Sequence, residues 1–270
     1  MKGDFEPELS WTVDEAKALY DAVDEQRKHI ADLICYDSCT YSIFGMAHVP
    51  PNTFDLIIAD PPFGIDFSGK EKNYNRKEKN VVTGYSDVDS KEYRSFTNAW
   101  VKLAVSTMKD TASAYIFSGW NHLDDILNAF KHSGLVLMNH CIWKYQFGVF
   151  TKNKYVSSHY HVIFYVKDVK KYFFNKQEKY PEDVWFDKKR YARGEVKNGT
   201  KLPVSLVSKI LGYSSKPGDY VLDPFMGNGT TAVCAKGLYR HYFGYEINKE
   251  MRPIHEKAMS STRLGAFWKK

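Results

Sequence analysis

Two apolar runs in this chain end the same way, on an aspartate followed by proline: LIIADPPF over residues 56–63 and YVLDPF over residues 220–225. Leu56, Ile57 and Ile58 read as a short strand buried on both faces, and Pro61 and Pro62 must end it because neither has a backbone N–H to add to a ladder. Each strand therefore delivers, at its carboxyl end, a carboxylate and carbonyl oxygens beside an aromatic ring, Phe63 in one case and Phe225 in the other. A Pro-rich turn that merely closes a core strand uses the same residues, so the surroundings decide.

Between and around these runs, apolar strands alternate with amphipathic helices, the pattern of a mostly parallel sheet with helices on both faces. The strands expected are 54–59, 112–117, 135–143, 159–166, 219–223 and 241–246. Helices are expected at about 90–108, 121–132, 202–212, 230–238 and 248–261. A further helix over 11–33 opens with a Thr12/Glu15 capping box and carries Val13, Ala16, Tyr20, Val23 and Ile30 near helical spacing. Trp100, with Phe96 and Leu103, marks a core face.

Two stretches break the alternation. Residues 66–88 are polar, with Lys70, Lys72, Arg76, Lys77 and Lys79 close together, and residues 167–200 mix Lys and Arg with Tyr, Phe and Trp. Both read as insertions at a sheet edge, where binding residues usually sit. The division expected is an N-terminal helical cover (1–33), a first half of the α/β domain (34–166), an insert (167–200) and a second half (201–270).

The 270 residues, 43% hydrophobic, suit a globular protein with a packed core. No apolar run approaches ~18 residues and MKGDFEPELS is unlike a signal peptide, so the cytoplasm is the expected location and no membrane partner is expected. Cys35, Cys39, Cys141 and Cys234 are too scattered for a disulfide scaffold and read as structural thiols, with no metal site. His159 and His161 share one strand face without a carboxylate or cysteine nearby, and read as sheet surface. A net charge of +6 leans toward a polyanionic partner without deciding one.

The second Asp-Pro run feeds a glycine turn, Gly227 and Gly229, and then a helix opening at Thr230. Glycines there let a ligand approach the backbone, as in nucleotide-binding strand–turn–helix units. The following strand ends on Glu246, where an acid commonly accepts hydrogen bonds from ribose hydroxyls. A missing third glycine favours a smaller adenosine ligand over a dinucleotide.

VLDPFMGNGTT resembles the S-adenosylmethionine-binding motif of the amino-methyltransferases of DNA, and ADPPF resembles their catalytic Asp-Pro-Pro-aromatic motif. With the catalytic motif first, an insert next and the cofactor motif last, the chain is similar to the permuted beta group of bacterial and phage enzymes. The resemblance spans roughly residues 34–261 and includes TKLPVSLVSKIL (200–211) and ICYDSC (34–39). It implies a Rossmann-like class I methyltransferase fold, a restriction–modification setting, and S-adenosylmethionine bound by Asp223, Phe225, Gly227, Gly229, Thr230 and Glu246, with Asp37 and Lys201. It also implies that Asp60, Pro61, Pro62 and Phe63 are catalytic.

An exocyclic amino nitrogen is a poor nucleophile because its lone pair is delocalised into the ring. Asp60 and the Pro61 carbonyl are the expected acceptors for its two N–H bonds, with Phe63 as the stacking surface for a base flipped from double-stranded DNA. Lys70, Lys72, Arg76, Lys77, Arg190 and Arg193 are expected at phosphates or base edges, and Tyr191 in the gap left by the flipped base. Adenine N6 is the expected target. Cytosine N4 is the alternative, since members acting on cytosine more often carry Ser or Thr at position 60. The shortness of 168–200 predicts a short recognition sequence, a second protomer or partner subunit sharing recognition, or relaxed specificity. Glutamine and RNA-guanine methyltransferases usually carry Asn before their Pro-Pro and place the cofactor motif earlier, cytosine-C5 enzymes need a Pro-Cys pair, and a non-catalytic remnant would be free to lose these motifs.

Overall fold

Strand β2 (Phe54–Ala59) is buried almost completely, with Leu56 and Ile58 at 0% and Ile57 at 2% exposure, as the apolar run demands. The computed structural model describes residues 10–36, 45–64, 88–146, 148, 151–188 and 201–268. Around β2 lie β1 (Leu33–Cys35), β3 (Met108–Ser118), β4 (Val136–Lys144), β5 (His159–Val166), β6 (Val184–Phe186), β7 (Tyr220–Asp223) and β8 (His241–Tyr245), in the sheet order β1-β8-β7-β2-β3-β5-β4-β6. All neighbouring pairs are parallel except those made by β5, which runs against both β3 and β4.

Side-chain alternation along β2 divides the core in two. Ile57 and Ala59 face α2 (Tyr93–Ser106) and α3 (Leu123–Lys131), packing with Trp100, Ile126 and Phe130. Leu56 and Ile58 face the other side, where α4 (Val204–Ser214) contributes Leu206, Val207, Ile210 and Leu211 and α5 (Thr230–Gly237) contributes Cys234. Helix α6 (Arg252–Ser261) follows β8. Trp100 is fully buried, as its helical spacing suggests.

The N-terminal segment departs from expectation. The capping box at Thr12 and Glu15 forms, but α1 covers only Val13–Asp21. Asp24 takes the Gln26 N–H at 2.9 Å and the Arg27 Nε at 3.0 Å, local bonds that compete with a helix, and Asp32 adopts a left-handed φ of 57°. The chain then enters β1 beside β8 instead of continuing as helix. Arg27 reaches the Thr53 carbonyl and Asp55 at 3.1 Å, while His241 contacts the Tyr20 carbonyl at 3.0 Å and Asp32 at 3.1 Å, which ties this segment to the sheet.

Residues 167–188 also hold more structure than their composition indicates. The chain leaves β5 along the sheet end where β3 begins: Lys167 Nζ donates to the Val105 carbonyl at 3.0 Å and Lys171 pairs with Asp110 at 2.7 Å. It returns as β6, parallel to Ile142–Lys144, and Asp187 N–H donates to the Lys144 carbonyl at 3.1 Å.

Candidate active site

Strands β2 and β7 are parallel neighbours, with Leu56 opposite Val221 and Ile57 opposite Leu222, but their connections diverge. From β2 the chain passes through α2 to β3, whereas from β7 it passes through α5 to β8 on the other flank. Such a reversal leaves a crevice beyond the carboxyl ends of the two strands, the usual ligand position in an open α/β sheet. Asp60 follows the last residue of β2 and Asp223 is the last residue of β7, so both Asp-Pro ends open on this crevice. Glu246 follows β8, and its N–H donates to the Cys35 carbonyl at 2.9 Å.

On the β2 side, Pro61 is buried while Asp60, Pro62 and Phe63 are half-buried. The Phe63 ring stacks on Tyr160 of β5, with centroids 5.3 Å apart, and Tyr160 in turn lies 5.4 Å from Trp143 and 5.5 Å from Tyr145. Gly64 turns the loop at φ +60°, and a Cβ there would come within 2.6 Å of Tyr93. Neither proline has an N–H to donate, so the backbone of this turn offers carbonyl acceptors without donors of its own at positions 61 and 62.

On the β7 side, the Phe225 N–H donates to Asp223 Oδ1 at 3.0 Å, Met226 N–H to the Tyr245 carbonyl at 2.9 Å, and Gly229 N–H to the Met226 carbonyl at 2.8 Å. Gly227 and Gly229 hold left-handed φ values of +50° and +74°. Burial pushes the Asp223 carboxyl up to about 6 and the Glu246 carboxyl up to about 7. Phe225 packs edge-on against Trp100 at 5.4 Å and lies 6.0 Å from Phe96, so one side of its ring belongs to the core.

The model of the DNA methylase family N6_N4_Mtase matches residues 54–257, a span that contains both strand ends and the helices between them. This chain belongs to that family. Over 230 residues, 78% of its length, the chain is 30% identical to the type II methyltransferase M.HinfI of Haemophilus influenzae, spanning 64% of that protein. It is 27% identical over 242 residues to the type II methyltransferase M.HpaI of Haemophilus parainfluenzae, covering 83% of this chain and 73% of that one. Its fold is similar to that of the M1.HpyAVI complex with S-adenosylmethionine, at a TM-score of 0.63 and 23% identity, covering 84% of this chain and 98% of that one. The Rossmann-like class I architecture is thereby shown.

The residues of the β7 turn fit a nucleoside-bearing methyl donor. Thr230 Oγ1 is buried with no hydrogen-bond partner among the described residues, at the first position of α5. Buried polar atoms are rarely left so, and a ligand group could satisfy it. Glu246 accepts the Asn248 N–H at 2.8 Å and a carboxylate retains further acceptor capacity for hydroxyls. Lys201 is exposed ahead of α4. Asp37, Lys70, Lys72, Arg76, Lys77, Arg190, Tyr191 and Arg193 lie outside the described residues. Lys188, the last described residue before three of them, follows β6 on the sheet end that carries Lys144.

Three residues of the site escape a reading of the motifs. Tyr160 backs Phe63, His122 Nε2 lies 3.2 Å from the Gly64 carbonyl, and His255 Nε2 lies 2.8 Å from the Gly227 carbonyl. Their only sequence signal is a polar or aromatic residue near an element end, which is too common to single them out. His159 and His161 do lie on one face, and His161 Nδ1 is 2.8 Å from His140 Nε2. Among the described residues no group of three His, Cys, Asp or Glu could hold a metal, and no helix is long and apolar enough to cross a membrane.

Proposed function

We propose that this chain methylates the exocyclic amino group of a base flipped out of double-stranded DNA, with adenine N6 as the target. S-adenosylmethionine supplies the electrophile, a methyl group on a positively charged sulfur. The chain's own part is positioning and electrostatics. Asp60 and the Pro61 carbonyl accept the two amino N–H bonds and draw the nitrogen lone pair out of conjugation, while Phe63 supplies the stacking face. Asp223, the Gly227–Gly229 turn, Thr230 and Glu246 hold the methyl donor, with Asp37 and Lys201 beside them.

The observation that supports this reading is the neighbouring of β2 and β7 at the point where the sheet's connections diverge, because it sets an acceptor cluster beside a nucleoside turn. Asp at position 60 favours adenine over cytosine N4. Lys70, Lys72, Arg76 and Lys77 after the catalytic motif, and Arg190, Tyr191 and Arg193 after β6, are assigned to DNA. So short an insert supports a short recognition sequence, a second protomer or partner subunit sharing recognition, or relaxed specificity.

Separate substitutions test the division of labour. Asp60→Ala should abolish methylation and keep most S-adenosylmethionine binding, whereas Gly229→Val should lose the methyl donor. Calorimetry showing equal loss of binding in both variants would overturn it.

A further inference from the structure

Both motif loops are irregular backbone, and each is fastened by a histidine from outside its motif, one within a helix and one just before a helix. At the cofactor turn, His255 is 2% exposed within α6. Its Nε2 faces the Gly227 carbonyl at 2.8 Å, and a carbonyl only accepts, so Nε2 carries the proton and Nδ1 accepts the Tyr36 hydroxyl at 2.7 Å. The ring edge also fills the space beside Gly229, where a Cβ would come within 2.8 Å of it. Tyr36 follows β1, and the Arg252 guanidinium lies 4.8 Å from the centre of its ring. At the catalytic loop, His122 precedes α3 and its Nδ1 faces Asp125 at 2.9 Å. Arg94 Nε fixes the same carboxylate at 2.7 Å, and the imidazole stacks on Tyr93 at 4.1 Å. Its Nε2 meets the Gly64 carbonyl at 3.2 Å and the Ser90 hydroxyl at 3.3 Å.

We infer that His255 and His122 are positioning residues for the two halves of the reaction, His255 acting through the Gly227 carbonyl on methyl-donor binding and His122 acting through the Gly64 carbonyl on the placement of Asp60 and Phe63. The inference rests on the function proposed above. A loop carbonyl outside any ladder needs a partner, and one held by a rigid imidazole anchors its own residue and so restrains the neighbouring residues of the loop. Displacements of ~1 Å at a reacting centre cost about a hundredfold in rate, so each loop repays such a fixture. Because one histidine lies within α6 and the other just before α3, and they touch different loops, their effects should separate.

The test uses the full-length protein with S-adenosylmethionine and duplex DNA. Asn places an amide where Nδ1 sits and cannot reach the glycine carbonyl, whereas Gln can place an N–H where Nε2 sits. His255→Asn should raise the S-adenosylmethionine Kd and KM about tenfold and leave kcat at saturating methyl donor within about twofold, with His255→Gln restoring most of the affinity. His122→Asn should lower kcat about tenfold at unchanged S-adenosylmethionine Kd, and His122→Gln should recover most of it. Should either Asn variant fail to fold, its Gln partner is read against wild type for the same parameter, within about twofold. A common loss of kcat and affinity in both Asn variants, no loss in either, or equal damage from Asn and Gln would overturn the assignment. Wild-type protein that binds no S-adenosylmethionine would instead overturn the underlying function.

Discussion

Phe63 and Tyr160 stack with their ring planes 22° apart, which joins the aromatic of the catalytic motif to a strand on the far side of β3. Tyr160 thus fixes the tilt of the surface proposed to meet the flipped base. Base–aromatic stacking is worth ~1–3 kcal/mol, so Tyr160→Ala should lower single-turnover methylation about tenfold with S-adenosylmethionine affinity unchanged. Tyr160→Phe, which keeps the ring, should stay near wild type.

Burial pushes the Glu246 carboxyl from its ordinary 4.5 up to about 7, so the ribose contact proposed for it should make methyl-donor binding depend on pH. Ribose hydroxyls donate best to the ionised form, so binding favours loss of the proton. Affinity should rise as pH climbs from about 6 to about 8, and binding below about pH 7 should release a proton. Stability runs the other way: between about 4.5 and 7 the folded chain keeps a proton that the unfolded chain has lost, so this group's contribution falls as pH rises. Calorimetry across that range should show the affinity trend in wild type and its loss in Glu246→Gln.

Nine Lys or Arg lie between Lys167 and Arg193, at 167, 170, 171, 176, 179, 188, 189, 190 and 193. Lys171 is already neutralised by Asp110 at 2.7 Å and Asp168 at 3.7 Å. DNA affinity should fall with salt by roughly one log–log unit per phosphate contact. Lys171→Ala should leave that slope unchanged, and Arg190→Ala or Arg193→Ala should reduce it, as read by titrating labelled duplex at several salt concentrations.

Arg240 is 2% exposed at the opposite end of the sheet, donating to the Ser215 carbonyl at 2.6 Å, to Ser215 Oγ at 3.0 Å and to the Leu238 carbonyl at 2.5 Å. Burial draws its guanidinium down to about 10. Removing it orphans those acceptors, so Arg240→Ala should cost about 3 kcal/mol in urea unfolding while the crevice chemistry persists in the folded fraction.

The strand ends at Asp60 and Asp223 were legible in the sequence because proline and glycine act on their own backbone, whatever surrounds them. The same locality explains the Thr12 capping box and the fully buried Leu56–Ile58 run. Helical periodicity across Val23 and Ile30 misled, because Asp24 bonds within its own turn, Asp32 takes a left-handed φ and bonds to Tyr20, His241 and Tyr242, and Arg27 is drawn to Asp55. Strand β6 was hidden because its pairing with β4 is non-local and Val184 and Phe186 are exposed. Tyr160, His122 and His255 went unseen for the same reason, since each touches its motif only once the sheet has brought distant segments together.

The acceptor role proposed for Asp60 and Pro61 predicts where the methyl group goes, and product analysis reads that directly. Duplex DNA incubated with the protein and isotopically labelled S-adenosylmethionine, digested to nucleosides and analysed by mass spectrometry, should carry the label on the exocyclic nitrogen of deoxyadenosine. Label on a ring carbon, or a digest with no labelled nucleoside, is incompatible with two N–H acceptors at the end of β2, and label on the N4 of deoxycytidine would reject the choice of adenine.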